Sequence, residues 1–211
     1  GIYMASTDEI YITVSGKGGH AALPEKYNSP IIASSNLIME LDNHFTKERN
    51  RPSVFAIGFV SADGSTNVIP KDVKLMGTFR AMDEQFRAES HKIMQKIAKN
   101  ISEKYNLEID FEIKKGYPFL KNDEMLTNLS SEFAKEYLGK GNVVKLPIRM
   151  TAEDFSYFTF ERPSCFYRLG IRNEEKGIVH GLHTSRFNID EDALKVGMGL
   201  MSWLLIKNLR N

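Results

Sequence analysis

Three features of this 211-residue sequence predict an α+β fold. Short runs such as EIYITVS, VKLMGTFRAM and LEIDFEI alternate apolar with polar residues, which is the pattern of strands buried on one face. Between them lie two longer stretches with apolar residues at helical spacing. Beyond the junction GYPF, at 116–119, helical patterns dominate and strands become scarce. The length suffices for two domains of ordinary size.

In chain order, EIYITVS places Ile10, Ile12 and Val14 inward as the first strand. In SPIIASSNLIMELDNHF, Ser29 is a cap, Pro30 the first helical residue, and Ile31, Ser35, Ile38, Leu41 and Phe45 one face; this helix is expected to end near Asn50. SVFAIGFV is rich in β-branched and aromatic residues, and a loop with Asp63 and Gly64 leads from it to VKLMGTFRAM, giving two further strands. FRAESHKIMQKIAKNISEKY puts Phe86, Ser90, Ile93, Ile97, Ile101 and Tyr105 on one stripe of a long helix. LEIDFEI alternates strictly, with Glu108, Asp110 and Glu112 outward. The order β-α-β-β-α-β over residues 7–115 is the ferredoxin-like, split βαβ arrangement.

After GYPF the sequence predicts a helix over 124–138 ended by Gly139, a short strand near 143–146, a short helix in AEDFSYFTF and an apolar strand CFYRLG. A long apolar helix, ALKVGMGLMSWLLIKNL, follows Asn188 and Glu191 at capping-box spacing and is expected to pack under a sheet. Two strands are too few to cover these helices, so residues 116–211 read as half a domain.

Composition excludes several classes. The hydrophobic share of 42% and charged share of 26% are those of an ordinary globular protein. Lys and Arg number 28 against 27 Asp and Glu, a net charge of +1, so no whole-chain field favours nucleic acid or anionic membrane. RNA binding through the sheet is further disfavoured because Lys74, Met76, Thr78 and Arg80, rather than aromatics, project from the third strand. The lone Cys165 permits no intrachain disulfide, and its apolar neighbours predict a buried structural thiol. No apolar run is long enough to span a bilayer, and the start lacks a basic region followed by an apolar one; a cytoplasmic setting is the expectation.

The motifs GKGGHAALP, GSTNVIP, GTFRAMDE, TAEDFSYF and GLHTSRFNIDEDAL, in this order, resemble peptidase family M20, and within it the amidohydrolases of N-acyl amino acids. The resemblance implies a ferredoxin-like lid and dimerisation domain over 7–115, inserted into a metal-dependent catalytic domain. Residues 1–6 would close the catalytic domain's N-terminal part and 116–211 would be its C-terminal part. It also implies a divalent cofactor, two zinc ions in the full-length parent, whose ligands lie mostly in upstream His-x-Asp or Cys-x-His segments and a Glu-Glu pair not found in this chain. The expectation is therefore that this chain alone holds no metal stably and is inactive, since a catalytic zinc takes about three protein ligands and an open position.

The same resemblance assigns roles residue by residue. His183 in GLHTSRF matches a metal ligand, whereas His180 has no counterpart and reads as a surface imidazole. His20 matches the lid histidine that reaches the partner subunit's site and helps hold the scissile carbonyl, and Asn67 matches the asparagine that works beside it. A tight glycine turn and a turn asparagine are the plain alternatives. Arg80 matches an anchor for the substrate carboxylate, and a solvated strand arginine is its alternative. Glu153 and Asp154 match an acidic pair without an assignable role, while His44 and His91 read as surface residues. Thr151 replaces a usual glycine, and Glu25 stands after Pro24 where these amidohydrolases often carry histidine, which leaves the substrate open. The partners implied are a small N-acyl amino acid or peptide and a second copy of the chain. The second copy is expected to pair through the uncharged edge strand at 53–60, because the opposite edge carries Glu108, Asp110 and Glu112. The alternative is a non-catalytic dimerisation or binding module of the same descent.

Overall fold

The computed structural model describes residues 1–47 and 51–210; the expected end of the first helix near Asn50 falls outside them. The chain forms two compact units. One comprises Ile2–Lys121 with Ile148–Tyr157, the other Gly1, Asn122–Pro147 and the chain from Phe158 onward.

The first unit contains β1 (Ile2–Met4), β2 (Asp8–Ser15), β3 (Gly19–His20), α1 (Pro30–Lys47), β4 (Ser53–Ala62), β5 (Val68–Ile69), β6 (Asp72–Ala81), α2 (Glu84–Tyr105), β7 (Glu108–Lys115) and β8 (Leu120–Lys121). Four strands form an antiparallel sheet in the order β4-β6-β2-β7, as the ferredoxin-like arrangement requires. Ile10, Ile12 and Val14 of β2 and Val73, Leu75 and Phe79 of β6 face one core with Leu37, Leu41 and Phe45 of α1 and Phe86, Met94 and Ile101 of α2. The period-2 reading of the strands holds residue by residue. For α1 the stripe is rotated: Ala33, Ser34 and Leu37 are buried, while Ile31 and Ser35 are exposed. Ser29 and Pro30 do open the helix, the Ser29 carbonyl accepting from Ala33 N at 3.3 Å. At the irregularity between Ile57 and Phe59, β4 crowds β6 so closely that a Cβ on Gly77 would collide with the Ala56 carbonyl.

Beneath the sheet end lies an ionic cluster that the helical stripe does not foretell. The Asp8 carboxylate, wholly buried, accepts from Arg87 Nε at 3.0 Å and lies 2.6 Å from His91 Nε2. Arg87 also donates to the carbonyls of Thr7 and Gly116 at 2.9 and 3.1 Å and to Glu84 at 3.0 Å. Burial works against the charge on Asp8, but the hydrogen bonds from His91 and Arg87 outweigh it and hold the carboxyl at about 2. His91 is therefore no surface residue: its ring is largely covered and tied to Asp8.

The second unit is built on α3 (Glu124–Leu138) and α5 (Asp192–Leu209); α4 (Ser156–Glu161) lies between them in sequence. Phe133 and Ala134 of α3 pack on Leu200 and Leu204 of α5, and Trp203 Nε1 donates to the Phe133 carbonyl at 2.9 Å. Several sequence expectations fail here. Neither 143–146 nor CFYRLG forms a strand. An extended segment becomes a strand only where a neighbour takes its backbone groups, and for CFYRLG the buried Asn122 side chain takes that place. Its Oδ1 accepts from Phe166 N at 2.8 Å and its Nδ2 donates to Phe166 O at 2.9 Å. Cys165 in this segment is only half-buried. No capping box forms either, because Asn188 Oδ1 accepts from the next residue, Ile189, and Glu191 makes no side-chain cap bond. Nor, among the described residues, does a sheet form over α5 within its own unit: α3 packs on it with Val143 and Tyr167 against the same cluster, the Leu169 side chain comes against Gly197, and Met198 and Leu205 remain 68% and 60% exposed.

Candidate active-site residues

β2 ends at Ser15, and the glycine-rich turn after it brings the chain against β5. Gly18 passes so near that a Cβ would stand 2.8 Å from the Ile69 carbonyl, so the missing side chain is what permits the pairing. Gly19 then pairs with Ile69 and His20 with Val68, and Ala21 N donates to the Asn67 carbonyl at 3.0 Å. Two residues far apart in sequence, His20 and Asn67, thus share one short exposed ribbon. Ala22 N donates to His20 Nδ1 at 3.1 Å, and Ser65 Oγ donates to Asn67 Oδ1 at 3.1 Å.

Arg80 is not brought to this ribbon. β5 precedes the start of β6, and Arg80 stands near its far end. At about 3.3 Å per residue, Asp72 and Arg80 are roughly 26 Å apart along the strand. The Arg80 side chain is half-buried, and its Nη1 donates to the Met150 carbonyl at 3.2 Å, leaving other N–H groups of the fork for a ligand. Met150 belongs to the segment Ile148–Tyr157, which folds with this unit: Arg149 N donates to Tyr3 O at 2.8 Å, and Ala5 N to Thr151 O at 3.0 Å. Glu153 and Asp154 follow directly. Partial burial, then the hydrogen bond and charge of Asp154, push the Glu153 carboxyl above its ordinary value. Arg80 and the acidic pair therefore share one end of the unit, and the His20–Asn67 ribbon occupies the other.

His183 lies in the second unit, in a loop before α5. Its backbone is left-handed, with φ of 63°. That conformation costs a non-glycine residue about 1 kcal/mol and is common where a side chain must be aimed. The loop is tied at its base: Lys176 Nζ lies 2.7 Å from both Asp190 and Asp192, and Asn173 Nδ2 donates to Asp190 at 2.6 Å. These bonds push the Lys176 ammonium well above its ordinary value and hold Asp190 below its own. Both His180 and His183 are exposed. Among the described residues, no three His, Cys, Asp or Glu side chains gather where they could hold a metal ion. His183 is a single donor and by itself does not make a metal centre.

Sequence reasoning missed Asp8, Arg87 and His91, and it missed Ser65 as the partner of Asn67. Asp8 directly precedes an alternating strand, which is the one signal it offers; nothing marks an arginine on a helix as buried.

The sequence profile of peptidase family M20/M25/M40 matches residues 8–207. The chain belongs to this family. Thermostable carboxypeptidase 2 of Saccharolobus solfataricus is 31% identical over 210 residues, covering 98% of this chain and 53% of the carboxypeptidase. N-acetyldiaminopimelate deacetylase of Brevibacillus brevis is 29% identical, covering 96% of this chain and 53% of the deacetylase. A Bacillus subtilis dinuclear metal-binding peptidase of the M20 family superposes with a TM-score of 0.72 at 26% identity, over 97% of this chain and 50% of that one. The M20 chain described here thus spans about half the length of the curated relatives it matches. No helix among its described residues is long and apolar enough to cross a membrane.

Proposed function

We propose that this chain is the lid and the C-terminal catalytic part of an M20 amidohydrolase that cleaves the amide bond of N-acyl amino acids or small peptides. In this reading residues 7–115 are the lid and dimerisation domain, and 116–211 complete a catalytic domain begun elsewhere. The observation that carries it is the separation within the lid: a donor pair, His20 and Asn67, at one end and a carboxylate anchor, Arg80, at the other. One small substrate cannot touch both ends of a strand about 26 Å long, but two subunits related by a two-fold axis can each contribute one end to a shared site.

At that site His20 and Asn67 of the neighbour donate to the carbonyl oxygen as it gains negative charge, an effect worth about 3 kcal/mol per donor in acyl transfer. Arg80 grips the substrate carboxylate with its planar fork. A divalent ion would supply the activated water, with His183 as this chain's one ligand to it. Because one ligand does not hold such an ion, we derive no step through it, and the chain alone is inactive. The exposed apolar face of α5 and the strandless CFYRLG segment support a catalytic part whose other layers are supplied from outside residues 1–211. Calorimetry with zinc and an assay with N-acetyl amino acids test this on the chain itself. Neither stoichiometric binding nor turnover is expected; tight zinc binding together with hydrolysis by this chain would refute the proposal.

A further inference from the structure

We infer that Asn28 is a positioning residue for His20: its side chain fastens the loop that carries the histidine to the C-terminal end of α2. The inference rests on the proposed role of His20 and adds to it a residue outside the β3–β5 ribbon. That ribbon needs a hold on the body of its unit, because strands of two residues make too few ladder bonds to keep an exposed pair in one place. One hold is backbone: Gly16 N donates to Lys71 O at 2.8 Å, where the chain leaves β2 and enters β6. Asn28 provides a second.

Lys17 and Asn28 pair across the neck of the loop. Asn28 N donates to Lys17 O at 3.2 Å, and Lys17 N donates to Asn28 Oδ1. His20 lies within the loop so closed, and Tyr27 stiffens it from inside: its Cδ1 stands 3.7 Å from where a Cβ on Gly19 would be, and its hydroxyl donates to Ala21 O at 3.4 Å. With Oδ1 turned to Lys17, the Asn28 amide nitrogen faces α2. The last carbonyls of a helix lack partners within it, and those of Tyr105 and of Asn106, the left-handed residue that ends α2, both receive Asn28 Nδ2, the first at 3.5 Å. One half-buried carboxamide thus joins the glycine-rich turn after β2, the approach to α1 and the end of α2. Losing it lets the loop swing about Gly16 and carry His20 along, while the four-stranded sheet keeps its ladder.

Amide hydrogen exchange on this chain tests the hold. In Asn28→Ala the Ala21 amide, bonded to Asn67 O at 3.0 Å, should exchange about tenfold faster or more, while Ile12, in the strand paired on both sides, keeps its wild-type rate. An unchanged Ala21 rate overturns the inference, and so does equal acceleration of both amides, which would mark a general loss of stability. Asn28→Asp is nearly isosteric: it keeps the acceptor for Lys17 N but sets a carboxylate against the two carbonyls, so it should also speed Ala21. An Ala21 rate indifferent to Asn28→Asp breaks the link to α2. In the complete enzyme Asn28→Ala should lower kcat about tenfold or more with KM nearly unchanged, because the substrate still binds and only His20 is misplaced. A complete enzyme in which His20→Ala stops turnover and Asn28→Ala leaves kcat intact contradicts this inference alone. One that turns over without His20 contradicts the proposed function, whatever the exchange rates are.

Discussion

Asp8 shows how a single residue sets a measurable property of the whole first unit. Its carboxyl titrates at about 2 in the folded chain against an ordinary 3.8. Since the folded value is the lower one, the stabilisation is complete well above pH 3.8 and is lost as the pH falls towards 2. The difference amounts to about 2 kcal/mol. Asp8→Asn removes the fully buried counter-charge of Arg87, leaving only the more exposed Glu84, and should cost about 3 kcal/mol at neutral pH. Urea unfolding of both proteins should show that gap narrowing by about 2 kcal/mol between pH 6 and pH 2, and a gap independent of pH would remove Asp8 from the account. The residues legible in the sequence were those whose chemistry comes with a marked setting: His20 behind its glycines, Arg80 on the polar phase of a strand. Arg87 and His91 were not legible, because a helical pattern registers a charged side chain as outward and cannot register the buried carboxylate that draws it in.

At the scale of elements, the four long strands that pair in the main sheet were readable, whereas β1, β3, β5 and β8 are too short to carry an alternating pattern and CFYRLG finds no ladder partner. EIYITVS lies between β6 and β7 and keeps its predicted phase throughout. CFYRLG has the composition of a strand, yet composition cannot supply a ladder partner, and Asn122 holds only one residue of it. β4 is the opposite case, a strand with one edge unpaired: its sequence SVFAIGFVSA has no charge, and Phe59 and Val60 are exposed. Light scattering should therefore find a dimer, and Val60→Lys should shift it to monomer with the fold intact. A wild-type chain that stays monomeric at high concentration would rule out pairing through this edge. The α5 face gives a second element-level prediction. Leu200 is buried against α3, so Leu200→Ala should cost about 3 kcal/mol in unfolding experiments. Met198→Lys should leave stability within about 0.5 kcal/mol and reduce binding of hydrophobic dyes, because no neighbour is lost. Equal destabilisation by the two would mean that α5 has a cover not seen among the described residues.

Across the whole molecule, the proposed reading has half a catalytic domain carrying a complete lid whose two ends serve different tasks. The family could be recognised because its motifs cluster at turns and strand ends, where backbone geometry restricts the residues allowed. The direction in which His20 acts, towards its own subunit or towards its neighbour, is a property of assembly, and no local pattern encodes it. That direction is the central claim, and mixing subunits of the complete enzyme tests it most directly. His20→Ala and His183→Ala are each expected to be inactive. If His20 serves the neighbour, a mixed dimer pairs an intact His183 in one subunit with an intact His20 from the other, and random mixing should restore about a quarter of wild-type activity. If each subunit uses its own His20, the mixture stays as inactive as its parts, and the account is wrong.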